Sequence, residues 1–244
     1  MKATVAILLC VGSSLMLMGC AAIPPYTSGP AVPETYLQGV AGQLTCNWPS
    51  NRTVNIVCHG HSVPAGYART PEVRMLDAYP NLLHEALCGR FPHAVQNVIV
   101  TAIGGEQSEQ GSARFERDVL ALRPDVVTID YALSDRRIGL ARAEAAWRKM
   151  VEACIAKHIP VILLTPKMDL KAQMDDPTDP LNQHAAQIRR LAAEYHVGLV
   201  DSLAQFQRYV HDGGQLKELM AQGNHPNRKG HELVVPELLK WFPE

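Results

Sequence analysis

The chain has 244 residues, of which 47% are hydrophobic and 19% charged, the composition of an ordinary globular protein. Its 23 Lys and Arg residues nearly balance 24 Asp and Glu, which gives a formal charge of −1. The chain therefore lacks the net positive charge that attracts the phosphates of nucleic acid. A mean hydropathy of −0.07 excludes a polytopic membrane protein, and six cysteines are too few for a disulfide-built scaffold.

The first twenty residues have the pattern of a secretory signal. Lys2 places a positive charge at the N-terminus, an apolar stretch extends from there to Met18, and Gly19 precedes Cys20. A cysteine after a small residue resembles the lipobox of bacterial lipoproteins, which implies a signal peptide over residues 1–19 and lipidation of Cys20. We therefore expect a periplasm-facing lipoprotein of the cell envelope, held at the outer membrane by its acyl chains. A plain secretory signal cut elsewhere, or an uncleaved anchor, is the alternative.

Residues 20–49 are predicted to form a tether, and residues 50–244 a single domain. The segment 21–41 contains four prolines and shows no periodicity, which is typical of a linker. An oxidising periplasm permits disulfides, but the sequence does not give a pairing. Because they lie in apolar runs, three further cysteines are expected to be buried free thiols: Cys58, Cys88 and Cys154, with Cys46 unassigned.

From residue 53 onward, short β-branched runs alternate with longer helical periods. The predicted strands are 53–58, 96–101, 125–130, 160–164 and 197–201. The predicted helices are 143–157, 181–195 with Asp179 as its cap, and a last helix from Asn227 toward Trp241 that is disturbed at Pro236. This alternation predicts an α/β fold, a single doubly wound, flavodoxin-like three-layer α/β/α sandwich around a five-stranded parallel sheet.

Residues that could take part in a reaction, through a side chain or a backbone N–H group, follow several of these strands. In chain order they are Ser62, the pair Gly104 and Gly105, Ser134, and finally His225. Ligands of doubly wound sheets bind beyond the carboxyl ends of the strands, so these loops are expected to meet at one edge. A serine, a base and several hydrogen-bond donors are what acyl transfer requires.

The four loops resemble the blocks of the SGNH (GDSL-type) hydrolases, and the resemblance covers about residues 53–242. Gly60-His61-Ser62 matches Gly-Asp-Ser, and Gly105 matches the glycine of the second block. Ala132-Leu133-Ser134-Asp135 matches Gly-x-Asn-Asp, and Gln222-Gly223-Asn224-His225 matches Asp-x-x-His. The Gly-x-Ser-x-Gly elbow of lipases is absent, because Pro64 holds its last place.

The resemblance implies that Ser62 is the nucleophile and His225 the general base. The oxyanion hole would be formed by the N–H of Ser62, placed at a strand-to-helix turn, by the N–H of Gly105, and by Ser134 in place of the asparagine amide. Losing such a donor costs about 10²–10³ in rate.

Gln222 stands at the acid position and can orient His225 without supplying a charge. An amide there can cost about 10⁴-fold. Three outcomes are open: a Ser-His dyad with a backbone carbonyl orienting the imidazole, which we favour, a carboxylate from elsewhere such as Asp212, or a weakened enzyme.

His61 replaces the aspartate of the first block and is expected to serve packing or loop geometry. The pair His59-x-His61 near His225 is a weak metal motif without further ligands at recognisable spacing, so no metal site is expected. Neither a Gly-x-Gly-x-x-Gly nor a Walker pattern is present, and no cofactor is expected. Taken singly, Ser62 could be a helix cap, the glycine pair a turn and His225 a helix-start signal.

The sequence thus favours a membrane-tethered serine esterase that cleaves small acyl esters, with O-acetyl groups on carbohydrate as one substrate class. Its partners would be a small-molecule or carbohydrate ester and the membrane, with no nucleic acid. The second hypothesis is a catalytically weakened or non-catalytic envelope lipoprotein of the same fold that binds glycan or a protein partner. The substitutions at Ser134 and Gln222 motivate it.

Overall fold

The computed structural model describes residues 29–244. Five parallel strands form the main sheet in the order β2-β1-β3-β4-β5. This is the flavodoxin-like order of a doubly wound sheet, so the predicted fold class is confirmed. In chain order the strands are β1 (Thr53–Gly60), β2 (Val95–Val100), β3 (Val126–Asp130), β4 (Val161–Leu164), β5 (Gly198–Val200), β6 (Met220–Gln222) and β7 (His225–Pro226).

Helices cover both faces of this sheet. In chain order they are α1 (Pro33–Tyr36), α2 (Gln38–Leu44), α3 (Tyr79–Arg90), α4 (Ser108–Asp118), α5 (Ala132–Asp135), α6 (Leu140–Ala156), α7 (Pro180–Tyr195), α8 (Ser202–His211), α9 (Arg228–Glu232) and α10 (Val235–Leu239). Short 3₁₀ helices occupy Met75–Asp77, Leu120–Leu122 and Leu216–Leu219.

The core is divided by the sheet because successive strand residues point to opposite faces. On β1, Ile56 and Cys58 pack toward α3, α8 and α10, whereas Val57 packs toward α4 and α6. Trp147 of α6 is fully buried in the second cluster. The central strands β3 and β4 are therefore buried throughout, which explains why their sequences are mostly apolar, whereas the edge strand β2 is only partly buried.

The predicted tether is wrong over its last part, because residues 33–44 form α1 and α2 against the domain. Leu37, Val40 and Leu44 are buried in the cluster that also contains α3. Their spacing of three and four residues is a short amphipathic pattern that the neighbouring prolines and glycines obscured. The signal peptide, the lipidation of Cys20 and residues 20–28 of the tether lie outside the described residues.

Three local predictions also change. β1 extends two residues beyond the predicted end, to Gly60, and the last helix is interrupted at Leu233 and Val234, which leaves α9 and α10. Cys88 is exposed rather than buried, since it faces outward on α3, while Cys58 and Cys154 are buried free thiols as expected. Asp179 caps α7 as predicted, because its carboxylate accepts a hydrogen bond from the Leu181 N–H.

Candidate active site

Ser62 lies in a tight turn directly after β1, and the residue is 8% exposed. The Tyr67 N–H donates to the Ser62 carbonyl at 3.0 Å, and the Gly66 N–H donates to the Val63 carbonyl at 3.0 Å. The next α-helix, α3, begins only at Tyr79, so the expected strand-to-helix turn at Ser62 is wrong. Within the described residues, the segment from Ser62 to Ala78 contains no α-helix whose N-terminus could face the nucleophile.

Gly60 is required where β1 meets β3. A Cβ atom at this position would lie 2.5 Å from the Asp130 carbonyl oxygen and 2.7 Å from Cγ of Pro64. The His61 N–H donates to the same carbonyl at 3.2 Å, which fixes the start of the turn against the end of β3. A side chain would push this turn, and Ser62 with it, away from the sheet.

His225 stands beside Ser62 although 163 residues separate them. Its Nε2 is 2.9 Å from the Ser62 Oγ, and its imidazole is buried on β7. The other ring nitrogen, Nδ1, is 3.0 Å from the carbonyl oxygen of Ala68. A carbonyl only accepts, so Nδ1 carries the proton and Nε2 is free to accept the hydroxyl proton of Ser62. The pair thus has the geometry of a nucleophile and its base.

The group that orients the His225 imidazole is the backbone carbonyl of Ala68, and the side chain of Gln222 makes no hydrogen bond to that imidazole. The Gln222 Oε1 instead accepts from the Thr70 N–H at 2.8 Å, and its Nε2 donates to the Thr70 Oγ1 at 3.2 Å. Gln222 therefore holds the loop that contains Ala68 rather than the imidazole itself. Asp212 is exposed at the end of α8 and has no hydrogen bond to His225 either.

We expect Gln222→Asp to change kcat for p-nitrophenyl acetate by less than about tenfold. The Nδ1 proton of His225 is already engaged by Ala68, and a shorter aspartate would give up the bond to the Thr70 N–H. At a decayed triad, restoring the carboxylate would instead recover up to about 10⁴-fold. Gln222→Asn is the matched control, since it shortens the side chain equally without adding charge. A gain of about 10³-fold confined to the aspartate variant would contradict the assignment of Ala68.

The environment of His225 favours its neutral form. Burial lowers the pKa of His225 below its usual 6.5, and the hydrogen bond to the Ala68 carbonyl offsets only part of this effect. The base must be neutral to accept a proton, so a lowered pKa keeps it competent at more acidic pH. We expect the acid limb of the pH profile of kcat/KM, which reports the free enzyme, to lie below pH 6.5. A limb centred at or above this value would contradict the expectation.

The three donors that the sequence assigned to the oxyanion hole have no hydrogen-bond partner within the described part of the chain. They are the N–H of Ser62, the N–H of Gly105 and the Oγ of Ser134. Gly105 has φ of +78°, which favours glycine, and a Cβ on Gly104 would lie 2.7 Å from the Tyr67 ring. The centroid of that ring is 6.0 Å from the centroid of His225, so the glycine turn borders the pair.

A buried network holds this glycine turn and was not foreseen from the sequence. Glu106, directly after the turn, accepts two hydrogen bonds from Arg114 and one from the Tyr131 hydroxyl at 2.6 Å. The Tyr131 hydroxyl also lies 3.1 Å from Nε2 of His59. An arginine fork, a phenol and a carboxylate at these distances form strong, directional bonds that rigidify the turn. The only sequence signal was Glu106 itself, which gives no indication of its partners.

Ser134 lies in α5, and the carboxylate that follows it anchors this short helix. Asp135 accepts from the Ser108 N–H at 2.8 Å and from the Trp147 indole at 2.7 Å. Burial raises the pKa of Asp135, and these two donors counter the effect in part. Asp135 therefore ties the third block to α4 and α6, a structural role that its place in the motif did not disclose.

His59 and His61 have different partners. Nδ1 of His59 is 2.9 Å from the Thr101 Oγ1, whereas Nδ1 of His61 is 3.3 Å from the Ser62 Oγ. Within residues 29–244, no three His, Cys, Asp or Glu side chains are grouped closely enough to hold a metal ion.

A buried ion pair lies beneath His61. Lys167 binds Asp130 at the end of β3, and neither side chain is exposed. Burial raises the pKa of Asp130, but the neighbouring Lys167 and His61 outweigh it and hold this pKa at about 2. Nε2 of His61 is 3.6 Å from the Asp130 Oδ1.

Two clefts are lined by residues next to Ser62 or His225 in the chain or in contact with them, although neither cleft is lined by Ser62 or His225 itself. One of about 310 Å³ is polar and is lined by Ser134, Asn224, Arg137 and Lys171 among others. A second of about 530 Å³ is lined by Ala68, whose carbonyl contacts His225, and by Pro226 among others. The smaller cleft therefore contains Ser134, the candidate third donor of the oxyanion hole, and Asn224, the neighbour of His225 in the chain.

Comparisons with known proteins identify the family of the chain and structures that share its fold. Residues 58–233 match the GDSL-like Lipase/Acylhydrolase family. The structure is similar to Axe2, an acetylxylan esterase from Geobacillus stearothermophilus, with 22% identity, a TM-score of 0.68 and coverage of 78% of this chain and 94% of that chain. Catalytic mutants of Axe2 in which a serine, an aspartate or a histidine is replaced by alanine also match.

A two-domain esterase, CEX, active on acetylated mannans, is likewise similar, with 22% identity, a TM-score of 0.68 and coverage of 85% of this chain and 52% of that chain. At such identities these structures show a shared fold, and no curated protein sequence matches the chain. The family match spans well over half of the chain and includes both Ser62 and His225. The protein therefore belongs to the GDSL-like lipase/acylhydrolase family of ester hydrolases.

Proposed function

We propose that this protein is a serine esterase that removes small acyl groups, O-acetyl groups on carbohydrate among them, through an acyl-enzyme on Ser62. The observation that carries the proposal is the 2.9 Å contact between the Ser62 Oγ and Nε2 of His225, with the tautomer of the imidazole set by Ala68. A hydroxyl in this setting loses its proton to the base as it attacks a carbonyl carbon.

The reaction proceeds in two halves. Ser62 attacks the ester carbonyl, its proton moves to Nε2 of His225, and the bond to the leaving alcohol breaks as that alcohol takes up the proton. Water then gives a proton to His225 as it attacks the acyl-enzyme, the bond between the acyl carbon and the Ser62 Oγ breaks, and His225 returns the proton to that oxygen, which releases the carboxylic acid and free Ser62. In both halves the negative oxygen of the tetrahedral intermediate is stabilised by the N–H groups of Ser62 and Gly105 and by the Ser134 hydroxyl.

The polar cleft beside Ser134 and Asn224 supports a hydroxyl-rich substrate. At about 310 Å³ it suits a sugar ring with a short acyl group better than a long apolar chain. The similar esterases act on acetylated polysaccharides, Axe2 on acetylxylan and CEX on acetylated mannans, which favours the same bond type here.

We further propose that the domain works at the bacterial cell envelope. The lipobox at Cys20 supports anchoring there by acyl chains and a periplasm-facing domain at the outer membrane. Within residues 29–244, no helix has the length and apolarity needed to cross a membrane. Mass spectrometry of the mature N-terminus tests the anchor, and an unmodified cysteine at position 20 would contradict it.

The test of the activity is hydrolysis of p-nitrophenyl esters of increasing chain length, together with acetate release from acetylated xylan. We expect the acetyl ester to be cleaved with a higher kcat/KM than the octanoyl ester. Preference for the octanoyl ester would contradict a small-acyl substrate while leaving the esterase assignment intact.

The second candidate is a weakened or non-catalytic glycan-binding or protein-binding member of the family. Ser134 and Gln222, at positions where the family has asparagine and aspartate, are the observations that favour it. Binding of acetylated oligosaccharide without acetate release would support this candidate against the first.

A further inference from the structure

Ser62 faces two imidazoles, not one. Nε2 of His225 is 2.9 Å from the Ser62 Oγ, and Nδ1 of His61 is 3.3 Å from the same atom. The Val63 N–H also points at Nδ1 of His61, at 3.4 Å, so this nitrogen is an acceptor and the ring proton resides on Nε2. The single hydroxyl proton of Ser62 therefore has two nitrogen acceptors within reach.

The far nitrogen of the His61 imidazole faces the carboxylate of Asp130, whereas that of His225 contacts the backbone carbonyl of Ala68. Nε2 of His61 and Oδ1 of Asp130 are buried, face each other at 3.6 Å and have no other hydrogen-bond partner among the described residues. Asp130 is ionised, because Lys167 neutralises its charge through the other carboxylate oxygen. Serine, imidazole and carboxylate thus follow one another from Ser62 through His61 to Asp130, in addition to the contact of Ser62 with His225.

We propose that His61, backed by Asp130, is a second general base for Ser62. This inference rests on the proposed esterase function and assigns to His61 a catalytic role in place of the packing role expected from the sequence. In this route the O–H bond of Ser62 breaks as its oxygen attacks the ester carbonyl, and the proton forms a new bond to Nδ1 of His61. The imidazolium that results lies against the Asp130 carboxylate, which stabilises it.

If His61 is a second base, the variants His225→Ala and Ser62→Ala should differ in their rates of ester hydrolysis. In an enzyme with one base, removing the serine or the histidine alone costs about the same in rate, because the groups act as a unit. With two bases, the His225→Ala variant still has His61, supported by Asp130, to accept the proton of Ser62. We expect p-nitrophenyl acetate hydrolysis by His225→Ala to remain about 10²-fold above that of Ser62→Ala, the lower end of a general base's contribution. A nitrophenolate leaves without a proton, so the missing acid function of His225 does not hide the effect.

The decisive variant is His225→Ala combined with His61→Asn. Asparagine keeps an oxygen that can accept from the Val63 N–H, so the turn retains its cap while the base is lost. We expect this double variant to fall to the level of Ser62→Ala. His61→Gln in the same background is the second variant, and circular dichroism and thermal unfolding establish that each protein is folded.

Two results would overturn the inference. The first is His225→Ala hydrolysis no faster than that of Ser62→Ala, and the second is His225→Ala activity that a folded His61→Asn or His61→Gln change leaves intact. Failure of the esterase proposal is distinguishable, because it would appear as wild-type protein that does not hydrolyse the ester, or does so unchanged in Ser62→Ala.

Discussion

Ser62→Ala is expected to lower kcat for p-nitrophenyl acetate by at least about 10⁴-fold while the protein remains folded. The hydroxyl is the only nucleophile that the structure places within hydrogen-bond distance of His225 among the described residues. Removing it abolishes the acyl-enzyme route and leaves only the contribution of the oxyanion donors and of binding. The measurement is steady-state hydrolysis, with circular dichroism of the variant beside that of the wild type.

A matched control for this variant is Ser50→Ala. Ser50 is an exposed serine in the turn before β1, and its replacement removes the same hydroxyl group far from His225. We expect Ser50→Ala to hydrolyse the ester at the wild-type rate. Equal rates in Ser62→Ala and the wild type would contradict a role for Ser62 as nucleophile.

Lys167→Met is expected to lower the free energy of unfolding by about 3–5 kcal/mol, the largest change in stability among the variants proposed for this protein. Lys167 and Asp130 are fully buried, and the ammonium also lies 4.5 Å from the centroid of the Tyr79 ring. Methionine fills most of the volume but leaves the Asp130 charge without its partner, and an uncompensated buried charge costs this much. Urea unfolding followed by fluorescence measures the change.

The loss caused by Lys167→Met should be smaller at pH 4 than at pH 7. Without the ammonium, burial raises the pKa of Asp130, as it does for a lone buried carboxyl. A raised pKa in the folded state means that the folded state binds the proton more tightly, so its stability recovers as pH falls.

Asp130→Asn combined with Lys167→Met should recover much of the stability, because no charge is then buried. Lys149→Met, on the exposed face of α6, is the surface control and should change stability by less than about 0.5 kcal/mol. A loss below about 1 kcal/mol for Lys167→Met at pH 7 would contradict the importance of the pair.

The fold followed from the sequence because the parallel strands carry a strong local signal. β4 is wholly apolar and β1 contains the apolar run Ile56-Val57-Cys58, as expected of strands covered on both faces. Loops that follow such strands meet at one edge, and this rule alone placed Ser62 and Gly105 at the same end of the sheet. Element ends were less certain, as the extension of β1 to Gly60 illustrates.

What escaped prediction consists mainly of contacts between distant backbone and buried side chains. Ala68 orients His225 through its carbonyl, which every residue has, so no residue type could indicate it. Lys167 pairs with Asp130 across 37 residues, and a lysine in a sequence gives no sign that it is buried. Gln222 stands at a motif position but contacts Thr70, since the motif fixes spacing and not partners.

The central claim, that Ser62 is a nucleophile activated by its surroundings, is tested most directly by covalent labelling with a fluorophosphonate probe and peptide mapping. We expect a single phosphonylated peptide that carries the label on Ser62, with labelling abolished in Ser62→Ala and unchanged in Ser50→Ala. Absence of labelling in folded wild-type protein, or a label on another residue that persists in Ser62→Ala, would contradict the account.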